Sequence, residues 1–174
     1  MARRVSVFAC LMLVAHGARA ERLPIRTYST ADGLAHVRVT RVVADSQGFV
    51  WLYATEGLSR FDGQGFTRYG YAQGLANTRI NDFLETSRGA YWVATNGGGV
   101  YRYTPLVHGP GARKGEGAEA NGSRFTLFRV GDDLQTNRVN ALHEDRQGRL
   151  WAGTDGGLFL LDDGSSPPAF GAQS

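Results

Sequence analysis

The 174-residue chain holds 19 lysines and arginines, 16 aspartates and glutamates, and one cysteine. Arg3, Arg4 and Arg19 fall in the first twenty residues; without them 16 basic residues face 16 acidic ones, so the basic isoelectric point makes no case for nucleic acid as a partner. Cys10 stands alone, which excludes an intrachain disulfide framework, and the length suffices for one modest domain.

Arg3 and Arg4 precede an apolar run from Val5 to Val14 that is too short to span a bilayer. Ala18-Arg19-Ala20 then presents small residues where a signal peptidase reads. Residues 1–20 are therefore predicted to be a signal peptide cleaved after Ala20, and the mature protein to be periplasmic or extracellular. No second apolar run of spanning length follows, so no membrane segment is expected once the leader is removed.

Beyond the leader, abundant glycine and evenly spaced aromatics favour short strands and tight turns, and no stretch keeps a helical apolar period for three turns. Ile25 to Tyr28 reads as a lone outer strand. Val39 to Ala44 is followed by Asp45-Ser46-Gln47-Gly48, the turn chemistry of a hairpin, and Phe49 to Ala54 returns with apolar residues on both faces. Glu56-Gly57 turns into Leu58 to Phe61, Asp62-Gly63-Gln64-Gly65 turns again, and Phe66 to Tyr69 supplies a fourth strand. Four antiparallel strands in sequence make a propeller blade.

The plan recurs around Trp92 and Trp151. Trp51, Trp92 and Trp151 each stand 17 residues after a leucine (Leu34, Leu75, Leu134) and three after a glycine (Gly48, Gly89, Gly148). A fixed period near 40 residues marks an array of like units, and each Trp is expected to wedge its second strand against the adjoining blade. Trp92 and Trp151 are 59 residues apart against 41 for the first pair, which places an inserted surface loop at 104–124 before the strand Phe125 to Phe128. The third copy shows three strands and stops at Leu161-Asp162; 163–174 reads as a linker or tail. The expected fold is thus all-β: a partial β-propeller over residues 21–162, with three four-stranded blades, the last incomplete, and a ring that this chain does not close alone.

The pattern G-L-x4-V-x5-D-x2-G-x2-W-x2-T-x-x-G-L, fullest in the first and third copies, resembles the two-component regulator propeller repeat. That resemblance implies the exported sensor region of a bacterial histidine kinase or diguanylate cyclase receptor. The kinase or cyclase output domain is absent from this chain, so no enzymatic activity is expected of it. Because propellers need about four to eight blades, either further blades belong to a longer receptor or two chains associate to complete a ring as a free periplasmic binding or scaffold protein.

Arg38, Arg79 and Arg138 each stand 13 residues before the Trp, where the chain enters an innermost strand. Repeated around a mouth, they would form a positive site for carboxylate, sulfate or phosphate groups on a small-molecule or glycan ligand. The competing reading pairs each with a neighbouring-blade carboxylate such as Asp82 or Glu144. His36, His108 and His143 share no ligand spacing, and packing accounts for His143 more simply than metal; neither metal nor cofactor is expected. The run Gly109 to Gly115 lacks the Ser or Thr of a phosphate-binding loop, and nothing in the pattern points to catalysis.

Overall fold

The computed structural model describes residues 23–54, 56–105, 124–162 and 169–172. They build three separate four-stranded antiparallel sheets. The first runs β1 (Arg41–Ala44), β2 (Val50–Ala54), β3 (Gly57–Phe61) and β4 (Phe66–Tyr69); the second β5 (Ile80–Glu85), β6 (Tyr91–Thr95), β7 (Val100–Tyr103) and β8 (Phe125–Phe128). The third runs β9 (Val139–Glu144), β10 (Leu150–Thr154), β11 (Gly157–Asp162) and β12 (Ala169–Ala172). Each strand pairs with the next in sequence, so every sheet is an up-and-down blade, and β5 lies against both β2 of the sheet before and β9 of the sheet after. The architecture is a partial β-propeller.

Two large apolar clusters fill the interfaces, and the tryptophans set them. Trp51 stacks on Phe83 of the next sheet at 4.7 Å between ring centroids and meets Tyr91 and Tyr103 as well. Trp92 repeats the role one interface on, buried with Leu142, Leu150 and Phe159 of the third sheet. β6 is buried at every position, as expected of a strand covered on both faces. Trp151 is only half-buried, and His143 beside it is exposed. Packing therefore does not account for His143: Val43 and Leu84, its counterparts, rest on the following sheet, and no described element covers that face of the third.

Two expectations at the chain's margins change. The third blade is complete, because β12 pairs antiparallel with β11 from Phe159↔Ala172 to Asp162↔Ala169, within the stretch read as a tail. Ala-Phe-Gly-Ala has no strand-like apolar alternation, but a sheet edge is satisfied by backbone groups whatever the side chains. In contrast, Ile25 to Tyr28 joins no sheet. Ile25 is 86% exposed, and Tyr28 instead packs its ring on Phe61 and Phe66 at 5.3 and 5.4 Å. The outer edge of the third sheet, which such a strand would complete, is held by β12. The signal peptide and nearly all of the inserted loop lie outside the described residues.

Candidate functional site

The three arginines occupy one structural position. Arg79 and Arg138 immediately precede β5 and β9, Arg38 lies three residues before β1, and all three are exposed where the chain enters the first strand of a sheet. Local hydrogen bonds fix their backbones: the N–H of Arg38 donates to His36 Nδ1 and that of Arg79 to Asn77 Oδ1, both at 3.0 Å. Asn96, at the tip of the β6–β7 turn, links two of them. It donates its N–H to the Arg79 carbonyl at 2.9 Å and forms an antiparallel bridge with Arg138.

Their side chains do not follow the pairing anticipated from sequence. Arg138 meets Asp155 of its own sheet at 3.6 Å, and among the described residues no ion pair joins Arg38 or Arg79. Asp82 and Glu144 do lock neighbouring sheets together, but through other partners. Asp82 accepts from the Tyr53 hydroxyl of the first sheet at 3.1 Å and from the Leu142 N–H of the third at 2.9 Å, with Arg41 at 3.9 Å. Glu144 accepts the N–H and hydroxyl of Ser87, as Glu85 accepts those of Ser46.

The hairpin aspartates also do more than turn the chain. Asp45 caps the N–H groups of Gln47 and Phe49 with one oxygen and receives the Trp51 indole N–H (2.8 Å) and the Tyr91 hydroxyl (3.1 Å) with the other. Asp145 repeats the indole bond to Trp151 at 2.9 Å. Although burial works against its ionisation, the bonds from Trp151, Arg149 and Gln147 hold the Asp145 carboxyl well below the usual carboxylate range. The signal was present as an Asp six residues before two of the three tryptophans; Thr86, in the second copy, bonds Ala90 in its place.

On the same edge but toward the outer strands, a cleft of about 260 Å³ opens beside the second sheet, and none of the three arginines lines it. Its walls include Asn77, Gly98, Tyr101, Leu127, Arg129 and Asn137. The β6–β7 turn, one residue longer than its counterparts, forms the floor. Gly99 takes φ +80°, and a Cβ on Gly98 would stand 2.5 Å from that of Asn77, so both positions require glycine. Asn137, 3% exposed, ties the connection down by accepting from the Val130 N–H and donating to the carbonyls of Gly131 and Asp133. Among the described residues no three His, Cys, Asp or Glu side chains converge to hold a metal.

Residues 74–97 and 133–156 match the family model of the two component regulator propeller. Both stretches are similar to that repeat. Each matched span of the repeat runs from the connection through the Trp strand to the turn after it, covering Arg79 with Trp92 and Arg138 with Trp151; the copy around Trp51 lies outside both. No curated protein matches the chain. Among solved structures, the repeats are similar to the extracellular domain of a putative hybrid two component system from B. thetaiotaomicron, at 22% identity and a TM-score of 0.59 over 79% of this chain and 17% of that one. A second such domain from the same organism gives 25% identity and a TM-score of 0.50 over 71% and 16%. The virginiamycin B lyase of Staphylococcus aureus, at 15% identity and a TM-score of 0.50 over 70% and 37%, shares the fold. The chain spans about a sixth of the two-component domains and about a third of the lyase.

Proposed function

We propose that this chain contributes the exported, ligand-sensing propeller of a bacterial signal-transduction receptor of the two-component or cyclic-di-GMP type, with a binding rather than a catalytic role. The observation that carries the reading is the pair of propeller-repeat matches at 74–97 and 133–156, each with its Trp in a sheet of the blade form. Structural likeness to domains described as extracellular parts of two component systems supports it. Arg38, Arg79 and Arg138 are assigned to a carboxylate, sulfate or phosphate group of the ligand; their exposure at equivalent strand entrances, and the absence of an ion pair to Arg38 or Arg79 among the described residues, favour that role.

Export is tested by expressing the full chain in a bacterial host, fractionating the envelope and reading the N-terminus by mass spectrometry. A periplasmic protein beginning at Glu21 is expected. A cytoplasmic product that keeps Met1 would remove the basis for an extracellular sensor.

A further inference from the structure

We infer that the cleft beside the second sheet is a binding site for a small organic acid, its carboxylate held by Arg129 and the Gly98 N–H and its ring or chain resting on Leu127. The inference rests on the binding role proposed above but names a different site from the strand-entrance arginines.

In the first blade the corresponding place is closed. The connection ahead of β1 is pinned by β3 and β4: Ser59 accepts the Ala35 N–H at 2.9 Å, and Arg68 reaches over to the carbonyls of Gly33 and Thr30, both at 2.7 Å. Arg68 pairs with Ser59 across β3 and β4 as Leu127 pairs with Tyr101 across β7 and β8, so Leu127 stands where the closing arginine stands in the first blade. Tyr101 does take over from Ser59, its phenol oxygen in reach of the Asn77 and Ala76 N–H groups while burial pushes its pKa up. Leu127 has no donor with which to cross the connection and is left 43% exposed, an apolar wall rather than a strap.

Two polar groups beside that wall are unspent. Gly98 makes no backbone hydrogen bond among the described residues, whereas its neighbours do: the Gly97 N–H donates to Thr95 and the Gly99 N–H to Asn137. Arg129, exposed directly after β8, forms no ion pair among the described residues. No carboxylate side chain lines the cleft to compete for that guanidinium. A cation, a free N–H and an apolar wall around a volume of about 260 Å³ suit a molecule the size of one sugar ring that bears a carboxylate.

The test uses the full chain, glucuronate as probe and glucose as the same ring without the charge, titrated at fixed ionic strength while the Gly98 amide resonance is followed by NMR. Glucuronate is expected to shift that resonance saturably and glucose to leave it in place. Arg129→Gln should weaken the effect about tenfold or more, the scale of one charge-assisted bond. Leu127→Arg should abolish it by closing the cleft as Arg68 does. No saturable shift with glucuronate, an equal shift with glucose, or binding indifferent to Arg129→Gln overturns the inference. Binding lost in Arg79→Gln but kept in Arg129→Gln also overturns it, while leaving the sensor reading standing with its ligand at the strand entrances.

Discussion

Glu144, at the end of β9, takes both the backbone N–H and the hydroxyl of Ser87 from the hairpin of the sheet before it, at 2.6 and 2.8 Å. Glu85 holds Ser46 in the same way, so one two-point latch recurs at consecutive blade interfaces. The register of the repeat explains the recurrence: both glutamates stand seven residues before their Trp and both serines five before theirs. At the outer copies the pattern breaks, with Ala44 in the glutamate position of the first sheet and Arg146 in the serine position of the third.

Glu144→Ala should therefore loosen the second and third sheets from each other. The latch is partly solvated, so the expected cost is about 1 kcal/mol, the net value of an ordinary hydrogen bond rather than of a buried charge. Urea unfolding of Glu144→Ala, Ser87→Ala and the double variant measures it. The double variant should lose little more than either single one, because each removes the same contact. Additive losses would show that the two side chains act apart.

Trp92→Ala should cost far more, about 3 to 5 kcal/mol, since the ring fills the second interface cluster and its loss leaves a cavity among Leu142, Leu150 and Phe159. Excising 105–122 should cost little by comparison. Thr104 and Arg124 already bond across the base of the insertion (2.9 Å), so a short bridge can join the ends without moving β7 or β8. Melting temperatures of the two variants compare them directly. A larger drop for the excision would mean that the insertion contributes to the core.

Asp82 is the point where three sheets meet, and Asp82→Ala should strand the Tyr53 hydroxyl and the Leu142 N–H in a largely buried setting. An expected loss of about 1 to 3 kcal/mol follows for each group left unpaired. Combining the change with Tyr53→Phe separates the contributions. The double variant should recover part of the penalty, because phenylalanine has no hydroxyl to strand. If Tyr53→Phe gave no relief, the bond to Tyr53 would contribute nothing to the loss.

The sequence was most legible where one rule acts locally. The Asp-x-x-Gly turns, the continuous apolar run that buries β6 and the phase of the tryptophans each follow from a few neighbouring residues, and the strands of the first sheet fall within two residues of where those rules put them. What it hid lies between sheets or at edges. β12 depends on the free backbone edge of β11, which no apolar period announces, and the partners of Asp82 and Glu144 are up to 60 residues away in the chain. The cleft was hidden for a third reason: it arises from one extra glycine and from leucine in place of arginine, differences that a search for shared pattern passes over.

Alkaline titration should expose the interface built on Tyr53. Burial first, and then the negative charge of Asp82, which accepts its hydrogen bond, push the phenol up from 10.0 to about 12. Tyr69 and Tyr91 move in the same direction, Tyr69 through burial and its bond to Tyr103, Tyr91 through burial beside Asp45. Below the unfolded value of 10.0 both states are protonated and the stabilisation is intact; above it the unfolded chain ionises freely while the folded chain resists, so stability falls as pH climbs towards and through the folded value. Denaturant unfolding repeated across that interval should show a steady loss of stability in the parent protein and a shallower one in Tyr53→Phe, with the residual slope coming from Tyr69 and Tyr91. Equal slopes in the two proteins would mean that Tyr53 ionises as easily folded as unfolded, which its buried hydroxyl bond to Asp82 does not permit.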